Sequence, residues 1–325
     1  MITAYLNEET LKAYEIREDN LSSLKDAVWI DMLQPTRAEE LELEKLLGLN
    51  IPTREEMIEI ELSSRLYKHK DALFMTASMI AQSTSRDPKQ DVVTFILTKK
   101  QLVTIRYIEP QAFKLLSSHL NSSDLNYNHA ATVLIELLEA TIDRLADILE
   151  VVGHNLEEYS KLIFRPDLSS LEEEKPNYQF LIQKMGTNAD LNTKARECLV
   201  TFSRLIPFFG QSVGTDLDTK GHTRLATLSK DVGALSDHAS FISTKVNFLL
   251  DATLGLINIE QNAIIKIFSV AAVIFLPPTL IASVYGMNFR FMPELSFKWG
   301  YFLAIGMMFL SALLPYKYFK RKKWL

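Results

Sequence analysis

Two uncharged stretches near the C-terminus restrict what this chain can become more than any other feature. From Ile267 to Phe289 the run IFSVAAVIFLPPTLIASVYGMNF holds 23 residues without a charge. As a helix it reaches about 34 Å, enough for the ~30 Å hydrocarbon core of a bilayer. A second run, Trp299 to Tyr316, holds 18 residues and reaches about 27 Å, at the low end of what spans. Trp299 and Tyr301 open it, and Tyr316, Tyr318 and Trp324 follow its other end, as aromatic belts do at membrane boundaries. Two such runs separated by nine residues read as a membrane hairpin. The alternative is a helical hairpin buried in a soluble core.

Charge divides the chain at the same place. The 325 residues carry a formal net −5. Residues 262–325 hold eight cations against Glu294 alone, a net +7, which leaves −12 on the first 261. An acidic body argues against nucleic acid as a partner, because phosphate binding needs a basic face. Lone Cys198 excludes an intrachain disulfide and a multi-cysteine zinc site, suits a reducing compartment, and reads as inert and half-buried. The start, MITAYLNEET, lacks the basic and apolar regions of a signal peptide. Five cations, Lys317, Lys320, Arg321, Lys322 and Lys323, crowd the last nine residues, against Arg290 and Lys298 in the connecting loop. The positive-inside rule therefore places the tail, and with it the acidic body and both termini, in the cytoplasm.

The first run is no plain anchor. It contains Ser269, Thr279, Ser283 and Asn288, and a Pro277-Pro278 pair that forfeits backbone hydrogen bonds, so the helix is expected to face protein or water. Read in sevens, Asn262, Ser269, Leu276 and Ser283 form one stripe, with Ile265, Ala272, Thr279 and Gly286 beside it. Phe268 adjoins, whereas Ile274, Phe275 and Ile281 fall largely elsewhere. Two readings stand: small residues that let helices pack closely, or the wall of an aqueous path. One such stripe cannot enclose a path, so a pore needs several copies about an axis.

The body divides in turn. Residues 1–121 read as a cytosolic α/β domain, with strands at Lys12–Ile16, Val28–Leu33 and Leu73–Ile80 and a hairpin of Val92–Thr98 with Leu102–Tyr107. Thr36-Arg-Ala-Glu39 and Thr53-Arg-Glu-Glu56 both fit the capping box. Residues 122–262 read as a long-helix stalk. One amphipathic helix covers His129–Leu162, another about Tyr178–Phe209, and a third, starting after Gly221, meets no proline before Pro277 and continues into the first span. The remainder divides into the first span at 263–289, an outer loop at 290–298, the second span at 299–317 and a basic tail at 318–325.

Catalytic chemistry is sparse. His69, His119, His129, His154, His222 and His238 fall at no metal-ligand spacing and read as surface or capping residues. No Gly-x-x-x-x-Gly-Lys-Ser/Thr or Gly-x-Gly-x-x-Gly occurs, so no nucleotide site is expected. The acidic helices read either as solvated faces or as gatherers of divalent cations, for which carboxylates are hard ligands.

Gly286-Met287-Asn288 at the end of the first span, Met292-Pro-Glu-Leu295 after it, and Tyr318-Phe-Lys-Arg-Lys-Lys-Trp-Leu325 at the end of the second resemble the CorA family of magnesium channels. Ile257–Asn262 and Ile51–Met57 carry the resemblance upstream. It implies a funnel-shaped homopentamer in the bacterial inner membrane, with a cytosolic α/β domain, a stalk helix that becomes the pore helix, and an outer ring of second spans. The implied activity is passive Mg²⁺ influx, extending to Co²⁺ and Ni²⁺, gated by intracellular Mg²⁺, with no enzymatic step. By motif, Gly286, Met287 and Asn288 form the selectivity ring. Counting back places Asn262, Ile265, Phe268, Leu276 and Thr279 on the pore wall, in agreement with the stripe. Asp87, Asp91, Asp231 and Asp237 are the expected ligands of regulatory Mg²⁺. Arg290 stands where relatives often carry an acid, leaving Glu294 as the one acid of the outer loop. Rival readings are a zinc transporter of the same superfamily, which soft or imidazole ligands near the path would favour, and a membrane-anchored sensor without transport.

Overall fold

Seven strands form one mixed sheet in the N-terminal part of the protein. The computed structural model describes residues 1–8, 10–16, 23–59, 61–85, 87–120, 129–164, 177–214, 217–288, 290, 292–293, 297–322 and 324. Strands β1 (Ile2–Glu8), β2 (Thr10–Ile16) and β3 (Ala27–Leu33) precede three short helices, α1 (Arg37–Leu47), α2 (Arg54–Ile58) and α3 (Leu62–Arg65). Strands β4 (Leu66–His69), β5 (Ala72–Ala81), β6 (Lys89–Leu97) and β7 (Leu102–Arg106) follow, then helices α4 (Gln111–Leu120), α5 (Ala130–Phe164), α6 (Tyr178–Val213), α7 (Thr219–Tyr285) and α8 (Gly300–Arg321).

The sheet order is β2-β1-β3-β7-β6-β5-β4. Among the described strands, only β3 and β7 pair in parallel. The expected hairpin of β6 and β7 is present, closed by Thr98 N donating to Gln101 O at 2.9 Å. Strand alternation gives each face its own core. Ile30, Met32, Val103 and Ile105 join Phe74, Leu43 and Met57 in one buried cluster. Trp29, Asp31, Thr104 and Arg106 occupy the alternate positions, and they too are buried. With both faces covered, β3, β5 and β7 read as near-continuous apolar runs rather than clean alternations.

The polar members of the second face satisfy one another. Trp29 Nε1 donates to Thr104 Oγ1 at 3.0 Å, and that hydroxyl donates to Asp31 Oδ1 at 2.7 Å. Arg106 grips the same carboxylate through Nε at 3.0 Å and Nη2 at 2.7 Å, and its guanidinium lies 4.6 Å from the Phe113 ring centroid. Burial, then the Asp31 charge, pushes the neighbouring Tyr5 phenol up to about 12. Both capping boxes form, with Thr36 on α1 and Thr53 on α2, and Gly48 takes the left-handed φ of +66° that ends α1.

The chain separates into two compact units, Met1–Leu249 and Leu250–Leu325. The expected boundary between the α/β domain and the stalk, after residue 121, falls inside the first unit, where α6 packs on β5, α5 on α6, and α4 on α5. Cys198, expected to be half-buried, is fully buried, and burial raises its thiol far above the ordinary range. The histidines behave as expected where described: His222 Nε2 lies 2.8 Å from Gly214 O at the end of α6, and His154 lies 3.4 Å from Glu158.

Helix α7 runs 67 residues, about 100 Å. It continues through Pro277-Pro278 to Tyr285. By the i→i−4 rule the two prolines leave Val273 O and Ile274 O without their usual donors. At the next residue, Thr279 Oγ1 donates to Phe275 O at 2.8 Å. Helices α7 and α8 are both long and apolar enough to cross a bilayer, and only 6% of the most apolar window of each is buried. A helical hairpin in a soluble core would have that window mostly buried.

Candidate functional site

The residues singled out on the first span sort by face. At about 100° per residue, Val270, Ile274, Ile281 and Tyr285 lie on one side of α7. Val270 is 2% exposed, and the other three are half-buried. Asn262, Ile265, Phe268, Leu276 and Thr279 lie on the opposite side, and all five are exposed, Phe268 by 71% and Leu276 by 65%. The stripe read in sevens is therefore an uncovered face of a single chain. Amide and hydroxyl groups alternate there with apolar side chains.

Gly286, Met287 and Asn288 follow the last turn of α7. Gly286 N donates to Ala282 O at 2.9 Å and Met287 N to Val284 O at 3.3 Å, so the helix unwinds through a tighter turn. A Cβ at position 286 would sit 3.1 Å from the Ala282 carbonyl oxygen, a tight contact that a larger residue meets only if its neighbours shift by a few tenths of an ångström. The Asn288 amide is exposed beyond it. Glu294, the expected acid of the outer loop, lies outside the described residues.

The four aspartates do not converge within one chain. Asp91 on β6 accepts from Arg54 at 3.3 Å and from Val92 N at 2.8 Å, while the Asp87 amide donates to Ser85 Oγ at 3.2 Å. Asp231 and Asp237 are exposed positions of α7. Among the described residues no three His, Cys, Asp or Glu side chains come close enough to hold a metal.

A different acidic group emerges between α5 and the start of α7. Arg224 of α7 donates to Glu136 Oε1 at 2.7 Å and to both carboxylate oxygens of Glu139. Its own pKa rises, chiefly through the Glu139 hydrogen bond. Asp143, one turn further, is held above the usual carboxylate range by desolvation, then by Glu139, Asp147 and Asp231. These carboxylates line a surface cavity of about 300 Å³ with Arg144. Sequence reading marked the acids of α5 but not their partner, since Arg224 is 85 residues from Glu139 and no local pattern joins them. Lys245 with Glu157 at 3.8 Å and the stacked Phe164 and Phe248 rings continue the contact between α5 and α7.

The arrangement is thus a long helix fixed by ion pairs at its start and open along one mixed face at its end. The family profile described as "CorA-like Mg2+ transporter protein" matches residues 25–321. The chain belongs to the CorA family. A CorA relative from Salmonella typhimurium, named "Magnesium transport protein CorA", is 36% identical over 329 residues, covering 100% of both chains. The complete CorA magnesium transporter structure from Methanocaldococcus jannaschii matches 100% of this chain and 99% of its own, with a TM-score of 0.74 at 18% identity. The ZntB cytoplasmic domain from Vibrio parahaemolyticus aligns with 79% of this chain and 98% of its own, with a TM-score of 0.56 at 11% identity. At those identities the structures establish a shared fold. The CorA fold accordingly comprises an N-terminal α/β sheet, a long helix and a C-terminal helix able to span a membrane.

Proposed function

We propose that this protein carries Mg²⁺ passively across a membrane as a homo-oligomer, a funnel-shaped pentamer in the family arrangement, without an enzymatic step. The observation that carries the proposal is full-length identity of 36% to relatives named as magnesium transport proteins. The exposed face of α7 supplies the physical means. Copies of Asn262, Ile265, Phe268, Leu276 and Thr279 facing a common axis would enclose the path, with α8 outside. A ring of Asn288 amide oxygens at the mouth accepts hydrogen bonds from the hydration shell of Mg²⁺, an ion that dehydrates reluctantly. Below it, Leu276 and Phe268 form apolar constrictions that close by excluding water. With the acidic body and the basic tail in the cytoplasm, the membrane potential drives entry by about 4.6 kcal/mol per divalent ion per 100 mV, twice the unit-charge value.

Asp91 lies on β6 and Asp231 and Asp237 on α7, and among the described residues no three acids come close enough to hold a metal, so a regulatory Mg²⁺ shared by these aspartates and Asp87 takes carboxylates from two copies. Binding there relieves repulsion within the acidic body and favours closure. The absence of Cys and His between Asn262 and Asn288 speaks against zinc as the preferred cargo, while Co²⁺ and Ni²⁺ resemble hydrated Mg²⁺ closely enough to compete.

The test is Mg²⁺ uptake into proteoliposomes at low internal Mg²⁺, with Zn²⁺, Co²⁺ and Ni²⁺ as competitors. Intact protein is expected to transport, and Asn288→Ala to fall to the protein-free background. No uptake by the intact protein would sink the proposal, and full uptake by Asn288→Ala would remove the filter assignment.

A further inference from the structure

The tail end of the second unit gathers cations from two helices around aromatic rings. Lys317, Lys320 and Arg321 fall at i, i+3 and i+4 in the last turns of α8, with Lys322 as its C-cap. Beyond the helix the chain folds back. Trp324 N donates to Phe319 O at 3.1 Å, and the indole stacks on the Phe319 ring with centroids 5.5 Å apart. This brings the indole to a cation of α7, for Lys266 Nζ lies 5.9 Å from its centroid. Lys320 Nζ lies 5.9 Å from the Tyr316 ring. Both separations are within reach of the quadrupole attraction between a cation and an aromatic face.

The level of this cluster is set by sequence. Lys266 is the last charge before the uncharged run of α7, and Lys317 is the first after that of α8. The cluster therefore lies in the headgroup layer of whichever leaflet the tail meets, where Trp and Tyr prefer to sit. One face of α8 leads into it from the apolar side. Phe309, Leu313, Tyr316 and Lys320 recur at i, i+4, i+7 and i+11, and Phe309 and Leu313 are exposed by 75% and 46%. An apolar track thus ends at a cation.

We propose that this cluster binds an anionic phospholipid. Its phosphate lies between Lys266 and Lys320, beside the Trp324 indole, and its acyl chains follow Phe309 and Leu313. Charge complementarity selects this occupant: cations at a membrane surface attract anionic lipids, and the track below them accepts only a molecule with hydrocarbon attached. One bound lipid then ties α8 to α7 two residues before Phe268. The proposal rests on both helices spanning the bilayer and is indifferent to which ion crosses, so the uptake assay and the test below fail separately.

The test uses full-length protein with Trp299→Phe, which leaves Trp324 as the one tryptophan at membrane level and Trp29, buried in the sheet, as a constant background. The protein is reconstituted in phosphatidylcholine containing rising fractions of brominated phosphatidylglycerol or brominated phosphatidylcholine. Brominated phosphatidylglycerol is expected to quench Trp324 at about fivefold lower mole fraction, the preference that one cation near an anionic surface confers. Lys266→Gln with Lys320→Gln should erase that preference. Lys266→Arg with Lys320→Arg should keep it, and Arg290→Gln with Lys298→Gln, at the opposite boundary, should leave it unchanged. Equal quenching by the two lipids in the Trp299→Phe protein overturns the proposal, as does a preference that survives removal of both charges. Relief of quenching by added inorganic phosphate also overturns it, assigning the cluster to free phosphate instead of lipid.

Discussion

The two units solve opposite problems with the same kind of side chain. In Met1–Leu249 large apolar groups are hidden: Trp29, Phe74, Phe95, Phe202 and Phe209 are almost wholly buried. In Leu250–Leu325 they are displayed, with Phe268, Phe275, Tyr301 and Phe309 each more than two-thirds exposed. Polar groups reverse the pattern. The first unit buries Asp31, Thr104 and Arg106 in a closed set of partners, whereas the second leaves Asn262, Thr279 and Asn288 on its outside. The difference teaches that the first unit is shaped by water around it and the second by surroundings that a single chain in water does not provide. An exposed Phe in one unit and a buried Phe in the other are each in their proper solvent.

The comparison breaks most readily at the buried ion pair. Arg106→Met strands the Asp31 carboxylate, and losing one partner of such a pair costs about 3–5 kcal/mol. Urea unfolding in detergent should show that loss, and a change below 1 kcal/mol, the order of an exposed pair, would mean the pair is more hydrated than its burial implies. A paired substitution sharpens the contrast between units. Phe95→Ala empties a core position and should cost about 3–5 kcal/mol, while Phe268→Ala should alter stability by less than about 0.5 kcal/mol yet change ion leak in proteoliposomes. Equal destabilisation by the two would erase the distinction. Thr36→Ala removes the cap of α1 and should cost about 1 kcal/mol, measurable by the same unfolding curves and separable from Thr36→Ser, which keeps the acceptor.

The smallest effect is electrostatic. Desolvation and the neighbouring Glu139, Asp147 and Asp231 raise the Asp143 pKa above its unfolded value. The folded state therefore holds this proton more tightly than the unfolded chain. Stability from this site rises as pH falls through the raised pKa and is absent at neutral pH. Asp143→Asn should stabilise slightly at pH 7, by a fraction of a kcal/mol after solvent screening, and the gain should vanish at acid pH. A destabilising Asp143→Asn would show that the carboxylate is held by a partner.

What was legible in the sequence tracks how local each signal is. Both capping boxes, the β6–β7 hairpin, the three long helices and the spans all follow from residues within a few positions of one another. Strand β1 was not read, because Ile2–Glu8 begins the chain without a turn signal to delimit it, and β4 is a four-residue edge. Helix α7 runs on into the first span as expected and passes through Pro277-Pro278 to Tyr285, since a tandem proline removes donors without forcing the chain to leave the helix. The uncovered face of α7 was legible because periodicity alone defines it. Arg54 with Asp91 and Arg224 with Glu139 were not, because only the tertiary fold brings residues 37 and 85 positions apart together. Asp87, Asp91, Asp231 and Asp237 stood out by charge, and charge gives no distance between them.

Burial of Cys198 has a practical corollary for spectroscopy. A thiol with no exposed surface, and with its thiolate suppressed by burial, is a poor target for maleimides. The natural chain is thus already a silent background for site-directed labelling. A cysteine placed at position 268, 287 or 324 would be the one fast-reacting thiol, so distances between copies could be read without first removing the native residue from the core.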